Sequence, residues 1–176
     1  SKGIKVNIIL REKSNIWRIK DIIDDAKIFY VDLKEKEKLG KIIQKIKPKS
    51  IFHMAAYGAY SYQDQVKLIK SSILDSTMNL VNECKKFKFN VFINTGSNSE
   101  YGFRKEKMNE NDLVRPNSDY AFFKAASTLF CQQVSIINKL PIITVRPFHV
   151  YGPYEEPTRL IPTLIRNLLK NKDSRL

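Results

Sequence analysis

The chain has 176 residues, 43% of them hydrophobic and 11% aromatic, which suffices for one domain with a real core and excludes wholesale disorder. No apolar run approaches the roughly 18 residues that a membrane span needs, no signal-peptide pattern opens the sequence, and Cys84 and Cys131 lie far apart without metal-ligand spacing. A cytoplasmic chain with no membrane partner and no metal is therefore expected. The formal net charge is +13, yet 23 of the 31 basic residues are lysines spread over helix faces (Lys34, Lys36, Lys38, Lys41, Lys45) instead of one stripe with interleaved aromatics, so no nucleic-acid partner is expected.

Short β-branched runs alternate with amphipathic stretches. Residues 4–10, 27–31, 50–54, 90–95 and 142–146 read as strands, mostly apolar on both faces as a covered parallel sheet requires. Leu39, Ile42, Ile43 and Ile46 share a helical face, and Pro48 stops that helix. A longer helix is expected from about Asp64 to Phe87, a third from about Ser118 to Lys139, and a last over about Arg159–Lys170. Residues 102–117 are polar and read as one long loop, a length that usually signals function. Strands alternating with helices predict βαβ units and a doubly wound parallel α/β sheet. Such sheets open with a strand and a Gly-rich turn that cradles a pyrophosphate. With six glycines and no G-x-x-G-x-x-G or G-x-G-x-x-G, the expectation is that this chain starts inside the domain, lacking the first strand and that turn, and is inactive as it stands.

The sharpest chemical candidate is Tyr120, with Lys124 one helical turn on. The Y-x-x-x-K pattern occurs three times, but Tyr30/Lys34 straddles a strand end and Tyr101/Lys105 falls in the loop, whereas Tyr120/Lys124 opens a helix. A tyrosine titrates near 10, and an adjacent ammonium favours its phenolate, bringing the group toward proton exchange with a hydroxyl near pH 7. A second hydroxyl should hold the substrate oxygen, and Ser97 follows the expected strand 90–95 on the carboxyl edge where open α/β sheets bind ligands.

Ser97 and Tyr120-x-x-x-Lys124, set in NTGSNSEYG, RPNSDYAFFK and RPFHVYGPYEEPTRLIP, resemble the extended short-chain dehydrogenase/reductase family of nucleotide-sugar epimerases, dehydratases and 4-reductases. The resemblance runs from about residue 4 to the end and implies a partial Rossmann-like NAD(P)-binding domain over 1–152, followed at 153–176 by the start of a substrate-binding lobe. It implies that Ser97 binds the sugar hydroxyl, that Tyr120 is the acid/base, and that Lys124 binds the nicotinamide ribose and lowers the tyrosine pKa. By the same resemblance Asp32 and Leu33 hold the adenine, and Met54, Ala55 and Ala56 pass under the cofactor. Thr95 lies on the cofactor side, and Pro147, Phe148 and Val150 flank the nicotinamide. His149 stands where many members have Asn, on the substrate side with Asn98, while Arg159 and Leu160 contact the substrate nucleotide. Phe148 has a plain core position as its alternative, and His53 reads as the end of a buried strand.

Two departures refine this reading. NAD-preferring members end the second strand in an acidic residue, whereas here Arg11 is followed by Lys13 and Ser14. An arginine fork with a serine hydroxyl suits a 2′-phosphate, which favours NADP, with NAD the alternative. The 4,6-dehydratases place an acid pair, or at least a glutamate, directly after the Ser/Thr. Here Asn98 and Ser99 occupy those places and Glu100 comes one late, so reduction of a 4-keto sugar or C4 epimerisation is expected ahead of dehydration. The helices at 64–87 and 118–138 are the family's common dimer surfaces, which implies a homodimer. The alternative class is a non-catalytic Rossmann-type module binding a nucleotide or an acidic partner, or an inactive fragment.

Overall fold

The computed structural model describes residues 3–60 and 62–173. Strand β1 (Val6–Leu10) pairs in parallel with β2 (Ala26–Tyr30), Val6 opposite Ala26 and Leu10 opposite Tyr30. Between them runs a 3-10 turn over Lys20–Asp25. Helix α1 (Lys36–Ile46) follows, and Lys47 closes it in the left-handed conformation, φ 45°, one residue before Pro48. A second parallel sheet has the order β3-β4-β5, with β3 (Ser50–His53), β4 (Val91–Thr95) and β5 (Ile142–Val145). Among the described residues the two sheets share no ladder, so β1 and β3 each leave an edge without a strand beside it.

Phe92 at the centre of β4 is fully buried among Ile51, Leu80, Val81, Phe89, Cys131 and Val134, and Leu39 and Ile43 of α1 join the same cluster. The strands read as apolar on both faces, but only β3 and β4 contain buried residues, each on one face. In β3, Ile51 and His53 point inward while Phe52 is 65% exposed, and Met54 just beyond it is 75% exposed. No described element covers that face, so the strand alternates as a half-covered strand does.

The helix expected over about 64–87 is confined to α2 (Val66–Lys70) and α3 (Ser76–Cys84), joined by a π-helical turn at Ser71–Asp75. Hydroxyls explain the widened turn. Ser71, Ser72, Ser76 and Thr77 bond back to the carbonyls of Leu68, Ile69, Ser72 and Ile73, competing with the amides for those acceptors. Helix α4 (Asp119–Asn138) is continuous and α5 (Leu160–Leu169) ends the described elements. Residues 102–117 form a loop, as expected. No helix among the described residues is long and apolar enough to cross a membrane.

Candidate active site

Ser97 sits two residues past β4, in extended backbone (φ −159°), as the N-cap of a 3-10 turn over Asn98–Tyr101. Its hydroxyl accepts from the Ser99 amide at 3.1 Å, and its own amide donates to Glu100 Oε1 at 2.9 Å. This reciprocal capping box locks the serine on the carboxyl edge of the sheet. The hydroxyl proton remains to be donated elsewhere.

Tyr120 is the second residue of α4. The helix starts there because Ser118 caps it, accepting from the Ala121 amide at 3.2 Å, with Asp119 favourable in the first turn. Ala121 and Ala125 are buried, and these small side chains let α4 press closely on its neighbours. Lys124 is 4% exposed, and its Nζ donates to the Thr95 carbonyl at the end of β4 at 2.6 Å. Ser97, Thr95, Tyr120 and Lys124, separate in sequence, thus meet at one strand end.

Their electrostatics differ from the expectation in one respect. Burial pushes the Tyr120 phenol above its ordinary value; a hydrogen bond from Ser97 opposes this, Glu100 adds to it and the Arg159 charge opposes it. The Lys124 ammonium is held by the Thr95 carbonyl, 5.8 Å from the Tyr120 ring centre, and does not bring the phenol down as the helical spacing predicts. Burial lowers Lys124 itself to about 8, against the raising effect of Glu100. His53 is likewise lowered by burial, with the Lys124 charge adding, to about 4; its Nε2 lies 2.9 Å from Thr77 Oγ1, as suits the end of a buried strand.

The remaining candidates divide between the sheets. Met54, Ala55 and Ala56 lie exposed beyond β3. Pro147 is half-buried and accepts from the Asn98 amide at 3.2 Å, whereas Phe148, His149 and Val150 are exposed, so Phe148 is not a core residue. Arg159 lies over the Tyr60 ring at 4.4 Å, with exposed Leu160 opening α5 after it. Arg11 and Ser14 belong to the other sheet and close a turn on each other, Arg11 N to Ser14 Oγ at 3.1 Å and Ser14 N to Arg11 O at 2.9 Å, leaving the guanidinium exposed. Asp32 accepts from the Lys34 amide at 3.0 Å, and the Leu33 carbonyl accepts from Asn79 at 3.1 Å.

The sequence profile of the NAD dependent epimerase/dehydratase family matches residues 1–176. The chain belongs to this family. Over 160 residues it is 29% identical to a dTDP-D-glucose 4,6-dehydratase of Dictyostelium discoideum, a match covering 83% of this chain and 37% of that protein. The fold is similar to UDP-glucuronic acid 4-epimerase from Bacillus cereus in complex with NAD, with TM-score 0.79, 23% identity, and coverage of 97% of this chain and 56% of the other. It is also similar to UDP-N-acetylglucosamine 4-epimerase from Methanobrevibacter ruminantium M1 in complex with UDP-N-acetylmuramic acid, with TM-score 0.82, 23% identity, and coverage of 96% and 56%. The architecture is therefore Rossmann-like α/β, and the chain spans about half the length of the solved structures it matches.

Three residues escaped the sequence reading. Arg146 donates from Nε to Glu100 Oε2 at 2.7 Å, Thr128 donates to Glu100 Oε1 at 3.0 Å, and Tyr60 supports Arg159. The S-x-x-E capping box Ser97-Asn98-Ser99-Glu100 signals that the glutamate turns back toward its own chain, but no local pattern points to Arg146 or Thr128 as its partners.

Proposed function

We propose that the complete protein is an NAD(P)-dependent enzyme acting on a nucleotide-activated sugar, by 4-keto reduction or C4 epimerisation ahead of 4,6-dehydration. The observation that carries this reading is the convergence of Ser97, Tyr120 and Lys124 at the carboxyl end of β4. Ser97, its turn locked by the capping box, offers its hydroxyl to the substrate oxygen. Tyr120 exchanges a proton with that oxygen. Its raised pKa keeps it protonated at neutral pH, which suits donation to a carbonyl oxygen as it becomes a hydroxyl. Lys124, pinned by Thr95, places a positive charge beneath the site.

The strand ends suit a dinucleotide. In this reading Lys124 supplies a donor, exposed Met54, Ala55, Ala56, Phe148 and Val150 would supply apolar surface for the cofactor, and Asp32 and Leu33 would take the adenine end. The sequence contains no Gly-rich turn for the pyrophosphate. When bound, the nicotinamide would supply the hydride. Exposed Arg11 beside Ser14 favours NADP, although the Bacillus cereus relative is a complex with NAD. Arg159, whose charge acts on Tyr120, would contact the substrate together with Leu160, Asn98 and His149.

Dehydration is placed behind the other reactions because Asn98 and Ser99 carry no acid and the Glu100 carboxylate is turned fully inward. The curated Dictyostelium relative is a dehydratase, so the experiment sets the reactions against one another. The complete protein is assayed with a 4-keto nucleotide-sugar plus NADPH or NADH, and with the parent hexose for epimerisation and dehydration. Reduction with NADPH, or epimerisation, and its loss by about a hundredfold to ten-thousandfold in Tyr120→Phe are expected. A 4-keto-6-deoxy product overturns the preference, and nucleotide-sugar binding with no turnover favours a binding module. We further place the domain boundary near residue 152. The homodimer would form through α2–α3 and α4, where Phe122, Leu129 and Ile136 form an exposed apolar stripe along α4, at 54%, 55% and 77%.

A further inference from the structure

Glu100 is a carboxylate with no solvent exposure, and both of its oxygens are engaged. Oε1 accepts from the Ser97 amide at 2.9 Å and the Thr128 hydroxyl at 3.0 Å, and Oε2 accepts from Arg146 Nε at 2.7 Å. Arg146 is itself fixed, donating to the Tyr101 hydroxyl at 2.9 Å with its guanidinium 4.9 Å from that ring's centre. Gly96 makes the room, since a Cβ there would collide with Glu100 Oε1. A cap needs only a neutral acceptor for the Ser97 amide, which glutamine would provide. The molecule instead buries a charge beside Ser97 and brings a partly buried arginine from just past β5 to balance it.

We propose that Glu100 is a positioning residue for the Ser97–Tyr120–Lys124 site, holding the Ser97 amide from inside the protein and supplying the fixed negative charge that Tyr120 and Lys124 face. This rests on the reading of that set as a proton-transfer site. The groups around it come from every side. Arg159, before α5, lowers Tyr120; His53, at the end of β3, faces Lys124 and stays neutral; Arg146 stands behind Glu100. Glu100 raises both Tyr120 and Lys124. It therefore favours the protonated phenol and the charged ammonium together, the pair of states from which a proton is delivered to a carbonyl oxygen.

Two variants of the complete protein separate charge from reach. Glu100→Gln keeps an acceptor for the Ser97 amide and removes the charge. The ionisation of Tyr120, read as the ultraviolet difference between each protein and its Tyr120→Phe counterpart, is expected to move to lower pH, and the pH–rate profile to move with it. Glu100→Asp keeps the charge and withdraws it by one methylene. Its pH dependence is expected to stay in place while kcat falls at least about tenfold with KM nearly unchanged. An unmoved Tyr120 ionisation in the first variant, or an undiminished kcat in the second, overturns the proposal, because a purely structural cap would change stability alone. If Glu100→Gln does not fold, Arg146→Gln probes the same charge from behind. Stripped of its counter-ion, Glu100 should drive the Tyr120 ionisation to higher pH, and a shift downward or none overturns the proposal. The titration needs no substrate, so it reports on Glu100 even where an absence of turnover refutes the enzymatic reading.

Discussion

The β3–β4–β5 sheet, with α3 and α4 against it, leaves Phe92, Val81, Thr77 and Ser127 no more than 1% exposed, whereas β1, β2 and α5 contain no fully buried residue. The residues proposed for proton transfer lie in the first region, on a capped turn and the first two turns of a long helix. Those proposed to read a cofactor ribose or a substrate nucleotide, Arg11, Ser14, Arg159 and Leu160, lie in or beside the second. Chemistry at a reacting atom requires side chains held in one geometry before the substrate arrives, and burial with satisfied hydrogen bonds provides that. Recognition of a large polar ligand requires exposed donors on segments that can close around it. The division of burial thus follows the proposed division of labour.

Two arginine–glutamate pairs show the same contrast in one chemical type. Arg146–Glu100 spans 2.7 Å with its side chains 14% and 0% exposed, and Arg18–Glu156 spans 2.9 Å at 45% and 40%. Arg146→Met leaves the Glu100 charge buried without its partner and is expected to cost about 3–5 kcal/mol in chemical unfolding, the largest effect here. If it costs no more than a surface pair, the buried region is not the preorganised one.

Next comes a pH effect confined to that region. His53 is held to about 4 in the folded chain against an ordinary value near 6.5, so its neutral form belongs to the fold. The stability it contributes is complete above about pH 6.5 and is lost as pH falls toward 4, where the unfolded chain binds the extra proton. The loss should approach about 3 kcal/mol, and His53→Gln should flatten that part of the stability–pH curve. An unchanged slope between pH 6.5 and 4 would place the origin elsewhere.

Arg18→Ala removes the exposed pair together with a 2.9 Å bond to the Tyr154 carbonyl and a stack on Trp17, and is expected to cost about 1 kcal/mol or less by thermal unfolding. The smallest effect on the subunit, within about 0.5 kcal/mol, is expected for Leu129→Lys on the exposed stripe of α4. Sedimentation should nevertheless show the complete protein, proposed to be a dimer, becoming monomeric. A dimer that persists moves the interface away from α4.

Much of this was legible in local sequence. The five strands and the helices around Leu39, Ser118 and Leu160 lie within a few residues of their expected places, because hydrophobic period, Ser118 as a cap and Pro48 as a stop act over short distances. The π turn at Ser71–Asp75 was not legible, since four hydroxyls bonding back to carbonyls leave the apolar period almost intact. The exposed face of β3 was not legible either, because the apolar residues of a strand do not say which of them another element will cover.

At the site, the sequence alone determined the candidates, Ser97, Tyr120 and Lys124: of three Y-x-x-x-K matches only Tyr120/Lys124 opens a helix, and the motifs around them resemble one family. The tertiary structure decided how those groups are charged and held. It turned Lys124 toward the Thr95 carbonyl, buried Tyr120 enough to raise its pKa, and made Glu100 a clamp on Ser97 with Arg146 across from it. Desolvation and Coulomb interactions depend on distances in space and on what lies between the charges, and Glu100 and Arg146, 2.7 Å apart across the end of a sheet, are joined by no pattern along the chain.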